Sequence, residues 1–204
     1  MNEKGAEVNT LYFGFDESNH AGPDKKGEII STVFSIGHED SVVRRWPNVR
    51  RNPDLEKWLA ESGHDYRFTI LTGEEYRYQS SAKNLTEAAP NLVTSILTEP
   101  YSPFSQKDIK MHIDCIKLYF DGGGFRKDQK DTLRDYFRSL GLKDVVVDNF
   151  IKKSKNSRGK TCKGPRCPKL VYLSDVLSNV LFHLSAGELL FHPKFVPHYN
   201  VVTK

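Results

Sequence analysis

A chain of 204 residues and 23.3 kDa can close one medium domain around its own core without disulfide or metal staples. Hydrophobic residues make up 38% and aromatics 11%, which predicts an aromatic-rich core rather than an absent one. The net charge of +4 is uneven: residues 152–169 hold eight Lys or Arg and no acid, leaving the remainder at −4, so a uniformly basic coat for nucleic acid is excluded.

LYFGFDESN, residues 11–19, is the first predicted strand, an aromatic run that ends abruptly in polar residues. HAGPDKKGE reads as a turn. EIISTVFSIG, residues 28–37, is rich in β-branched residues and pairs back as a hairpin. Residues 38–65 are charged and punctuated by Pro, and read as an insertion over the sheet edge. Within it a short helix is expected over Pro53–Ala60, capped by Asn52. DYRFTIL, residues 65–71, is a third strand. The stripe of Leu92, Val93, Ile96 and Leu97 predicts a helix from about Ala89, stopped by Pro100 and Pro103. A fourth strand over 108–120 runs into three glycines. KDQKDTLRDYFRSL, residues 127–140, is an amphipathic helix with Gly141 as its C-terminal cap. DVVVDNFI, residues 144–151, is a strand, and a closing helix follows the basic loop with Pro168 in its first turn. Three strands followed by alternating helices and strands predict an α/β domain with a mixed sheet of about five strands, flanked by helices.

Other classes are excluded more simply. No apolar run reaches the roughly 18 residues of a membrane span. The N-terminus MNEKGAEVNT has no apolar stretch of the signal-peptide kind. Three Cys are too few, and odd in number, for a secreted disulfide scaffold. The expectation is a soluble cytoplasmic domain.

The order of elements, read with the position of the acids, resembles the RNase H-like fold over about residues 11–186. An acid ends the first strand (Asp16, in GFDESN), a second ends the fourth (Asp121, in LYFDGGG), and a third sits in the last helix (Asp175, in LVYLSDVLSNV). A first strand ending in Asp-Glu-Ser and a last helix of the form apolar-Ser/Ala-Asp-apolar-apolar is similar to a group of small, largely uncharacterised RNase H-like proteins. The resemblance implies a metal-dependent nuclease or related phosphodiester-processing enzyme, with Asp16, Asp121 and Asp175 as catalytic residues and ligands of Mg²⁺ or Mn²⁺. Glu87, near the start of the first long helix, is the candidate for the family's fourth acid, but its position does not match cleanly.

The residue chemistry agrees with that implication. Two-metal phosphodiester hydrolysis needs carboxylates converging from separate elements, with the ions about 3.5–4 Å apart. Mg²⁺ takes oxygen ligands and keeps several waters, so a few acids suffice. Strand alternation sends Glu17 to the face opposite Asp16, and Asp114 to the face opposite Asp121. Asp114 remains a rival for the fourth-strand ligand. On the largely apolar last helix, Asp175 shares a face with Asn179, which could hold a ligand or water, and His183 lies a further turn along. Each Asp also has a plain reading: a turn residue for Asp16 and Asp121, a solvent-facing helix residue for Asp175.

Lys152, Lys153, Lys155, Arg158, Lys160, Lys163 and Arg166 are candidates to clamp a nucleic-acid backbone, and their loop directly precedes the helix of Asp175. A solvated charged loop is the plainer reading. Cys162 and Cys167 are half a zinc site at most, Cys115 reads as core, and Trp46 and Trp58 pin the insertion or stack on bases. The three glycines lack the Lys-Ser/Thr of a phosphate-binding P-loop. Two rival functions stay open: a non-catalytic module binding nucleic acid or protein, and a metal-dependent enzyme acting on a small phosphorylated molecule.

Overall fold

The computed structural model describes residues 9–18, 28–36, 42–43, 64–71, 79–98, 113–121, 125–150 and 167–183. Seven strands and three helices lie within them. In chain order they are β1 (Asn9–Ser18), β2 (Glu28–Ile36), β3 (Val42–Val43), β4 (Asp65–Leu71), α1 (Ser81–Thr98), β5 (Ile113–Asp121), α2 (Lys127–Ser139), β6 (Asp144–Phe150), β7 (Cys167–Pro168) and α3 (Lys169–His183). The chain is therefore α/β, with one five-stranded mixed sheet in the order β4-β2-β1-β5-β6. β1 and β2 are antiparallel, as are β2 and β4, while β1, β5 and β6 run parallel. It follows that β1, β4, β5 and β6 all end at the same edge of the domain.

Alternation along β1 builds two cores. Leu11, Phe13 and Phe15 join residues of α1 and α2, among them Leu85, Leu92, Leu133 and Phe137. Tyr12 joins the other core with Val33, Phe68 and the α3 residues Leu170, Leu173, Val176 and Leu177. Two helices thus cover one face of the sheet and α3 covers the other. Each of the fully buried phenylalanines contributes on the order of 1.5–3 kcal/mol.

The expected strands coincide with those observed to within a few residues, except that 108–112 lie outside the described residues. Two boundaries differ for physical reasons. α1 begins at Ser81, eight residues before the expected start, and carries Pro90 in its interior. Pro90 cannot donate to the Thr86 carbonyl, which argues locally against a continuous helix. Burial decides otherwise: Ala82, Leu85, Ala88 and Ala89 line the core ahead of the expected start, and Ser80 closes the first turn by accepting from the Lys83 N–H at 2.8 Å. Pro168 is not in the first turn of the last helix. It belongs to β7, where it pairs with Val42 while Cys167 pairs with Val43. Gly141 takes the expected capping role after α2, with φ of 91° and its N–H on the Arg138 carbonyl at 2.9 Å.

The short helix expected over 53–60, both tryptophans, the three glycines and residues 152–166 of the basic loop expected over 152–169 lie outside the described residues, while 167–169 belong to β7 and the start of α3 rather than to a loop. No described helix is long and apolar enough to cross a membrane.

Candidate active site

The ends of β1 and β5 are locked together before they reach their acids. Phe15 pairs with Phe120 in the parallel register, and their rings stack with centroids 4.9 Å apart. Phe120 in turn meets Phe125, just before α2, at 4.5 Å. These rings all lie in the core under α1 and α2. The next residue on each strand, Asp16 and Asp121, therefore points to the opposite face, the one covered by α3. Register alone sets the two carboxylates side by side.

Helix α3 supplies the third acid through a close approach. A Cβ at position 14 would collide with the backbone carbonyl carbon of Leu170 and the Val171 nitrogen, so only glycine lets the first turn of α3 lie against β1. One turn later the Ser174 hydroxyl, fully buried, bridges the Gly14–Val33 pair. It donates to the Gly14 carbonyl at 2.6 Å and accepts from the Val33 N–H at 2.9 Å. The Ser31 hydroxyl donates to the Ser174 carbonyl at 3.0 Å, completing a three-point attachment. Asp175 follows directly, and Asn179 donates both to its Oδ1 (2.9 Å) and to its carbonyl oxygen (2.6 Å). The shared face of Asp175 and Asn179 expected from helical spacing is thus present, and Asn179 orients the carboxylate.

Asp16 is 5% exposed, and its Oδ1 accepts from the Glu17 N–H at 2.9 Å. Burial pushes its carboxyl pKa well above the ordinary range, and the negative charges of Glu17, Asp121 and Asp175 push it further. Asp121 and Asp175 are therefore both close enough to act on Asp16. No family model and no curated protein matches this chain.

The donor set decides which cation would suit the site. Three carboxylates with no His or Cys among them match a hard, oxygen-preferring ion, and a divalent charge would offset the repulsion concentrated on buried Asp16. Among the described residues, no three His, Cys, Asp or Glu side chains stand close enough to form a ready-made cage. A cation here would complete its shell with waters, as is usual for Mg²⁺.

The remaining candidates fall elsewhere. Glu87 lies in the second turn of α1, on the other side of the sheet, 3.9 Å from Lys83, and it is not among the charges that raise Asp16. Glu17 is the acid that acts on Asp16 most strongly. The side chains of Asp114 and His183 lie outside the described residues, as do Lys152, Lys153, Lys155, Arg158, Lys160, Lys163 and Arg166. Cys115 is buried, as expected for a core residue. Sequence reading passed over Gly14, and took Ser174 only as part of the Ser/Ala-Asp pattern, with no structural role for its hydroxyl. A glycine interrupting an aromatic strand was the available signal for the first, and a Ser beside the helix acid was the only signal for the second.

Proposed function

We propose that the chain is a metal-dependent phosphodiester-processing enzyme, most simply a nuclease, on an RNase H-like fold, with Asp16, Asp121 and Asp175 as its catalytic carboxylates. The observation that carries this reading is their convergence from β1, β5 and α3 on one face, outside the carboxyl ends of parallel strands. The strand order supports the fold assignment: three antiparallel strands, with two parallel ones added beside the first. At the β1–β5 boundary the chain connections leave in opposite directions, the usual position for a ligand crevice in open α/β sheets.

The residues act as follows. Asp16 and Asp121 present adjacent carboxylates from a rigid sheet, so their spacing is set by strand register rather than by loop conformation. Asn179 fixes the orientation of Asp175. Mg²⁺ or Mn²⁺, when bound, supplies the positive charge that stabilises the phosphate as negative charge develops on it. The basic loop over 152–166 leads into α3 and is the proposed clamp for the nucleic-acid backbone.

The test combines calorimetric titration of Mn²⁺ and Mg²⁺ with cleavage assays on DNA, RNA and hybrid oligonucleotides. Saturable binding and cleavage in the wild type, both abolished in Asp16→Asn, are expected. Oligonucleotide binding that persists in a chelator, with no metal uptake even when oligonucleotide is present, would establish the non-catalytic module instead. Turnover of mononucleotides alone would establish the small-substrate enzyme.

A further inference from the structure

A groove of about 560 Å³ opens between the N-terminal ends of α1 and α2, on the side of the sheet away from α3. The described side chains that line it are polar or charged. Lys83 and Arg126 face it as cations, Ser80, Thr86 and Thr132 contribute hydroxyls, and Gln129 an amide. Among the described lining side chains, two cations stand against one carboxylate, Glu87. The positive ends of two helix dipoles add to that charge.

The cations are free to change partners. Lys83 lies 3.9 Å from Glu87 and Arg126 lies 3.2 Å from Asp128, with side-chain exposures of 54% and 75% for the two bases. Exposed pairs of this kind contribute little to stability, so a phosphate can replace the carboxylate at small cost. Position gives the groove its meaning. α1 follows β4 and α2 follows β5, and both strands end at the same edge as β1. The groove and the three aspartates therefore flank one edge of the sheet from its two faces.

We infer that this groove holds the sugar–phosphate backbone of a nucleic-acid strand at a point away from the phosphate that reacts, with Lys83 and Arg126 as its phosphate contacts. The inference rests on the nuclease reading for the identity of the ligand. It names a second contact, formed by α1 and α2, separate from the carboxylates and from the basic loop.

The experiment measures binding of short fluorescein-labelled single-stranded DNA and RNA of one sequence by anisotropy. EDTA is present throughout, so that cleavage and metal do not contribute. The Lys83→Gln/Arg126→Gln double variant is expected to bind roughly tenfold or more weakly, with a log K against log salt slope smaller by about 1.4, the loss of two single-strand phosphate contacts. A charge-matched control, Arg138→Gln/Lys143→Gln at the far end of α2, is expected to bind within about twofold of wild type. Coincident thermal unfolding of both variants with the wild type checks the fold. Equal weakening by the two variants, no weakening by the first, or no binding of either oligonucleotide by the wild type overturns the inference. Unequal effects on DNA and RNA identify which backbone the groove prefers. Because the readout is metal-free, failure of metal-dependent cleavage leaves it standing, and cleavage that survives an unselective result overturns the groove alone.

Discussion

Asp16 occupies a place that a lone carboxylate avoids. It is buried, and three other acids act on it, while a single backbone N–H favours its charged form. The consequence for stability has a definite sign. Between the ordinary carboxylate range and its raised pKa, the folded protein holds a proton on Asp16 that the unfolded chain has released. Stability therefore falls as pH rises through that window, and the penalty is complete above it. Asp16→Asn removes the charge and keeps the shape. In metal-free urea titrations the variant is expected to be more stable than wild type near pH 7, by about 1–3 kcal/mol, the range for an imperfectly compensated buried polar group. The difference should shrink toward zero as pH drops below the usual carboxylate pKa. A variant less stable than wild type at pH 7 would show that the Asp16 charge is already compensated in the folded protein.

At the scale of elements, the site depends on how α3 is seated. Ser174→Ala leaves the Gly14 carbonyl and the Val33 N–H without their hydroxyl partner in a buried position, an expected loss of about 2–4 kcal/mol. Gly14→Ala is expected to cost more than Ser174→Ala, because its methyl group meets helix backbone rather than a movable side chain. Denaturant unfolding of the two variants checks the order, and equal costs would mean that α3 can slide outward without loss. These contacts also mark the limit of what sequence shows. The aromatic run of β1, the β-branched run of β2 and the amphipathic period of α2 are local patterns, and each element was legible. α1 was half legible, since Pro90 argues locally against the helix that core burial sustains. The reason for Gly14 was not legible at all, because the backbone it accommodates lies more than 150 residues away in the chain.

At the scale of the whole molecule, sequence placed three acids on three elements but could not say which elements are neighbours. Pairing of β1 with β5 is long-range and parallel, and no periodicity in either strand encodes its partner. The fold supplies that step, and with it the means to test the site without knowing the substrate. A cation bound by the folded site and not by the unfolded chain stabilises the whole domain by mass action. At a concentration near 100 times its Kd the gain is about 2.7 kcal/mol. For a domain of this size that corresponds to a rise in Tm of roughly 5–10 °C. Mn²⁺ is expected to produce such a rise in the wild type and EDTA to reverse it, whereas Asp16→Asn and Asp175→Asn should show little response. Ser174→Ala is the informative intermediate. It keeps all three carboxylates but loosens the element that carries Asp175, so its metal-dependent rise should be smaller than that of wild type, though not absent. An equal rise in all four proteins would place the cation elsewhere on the chain and remove the carboxylates from the mechanism.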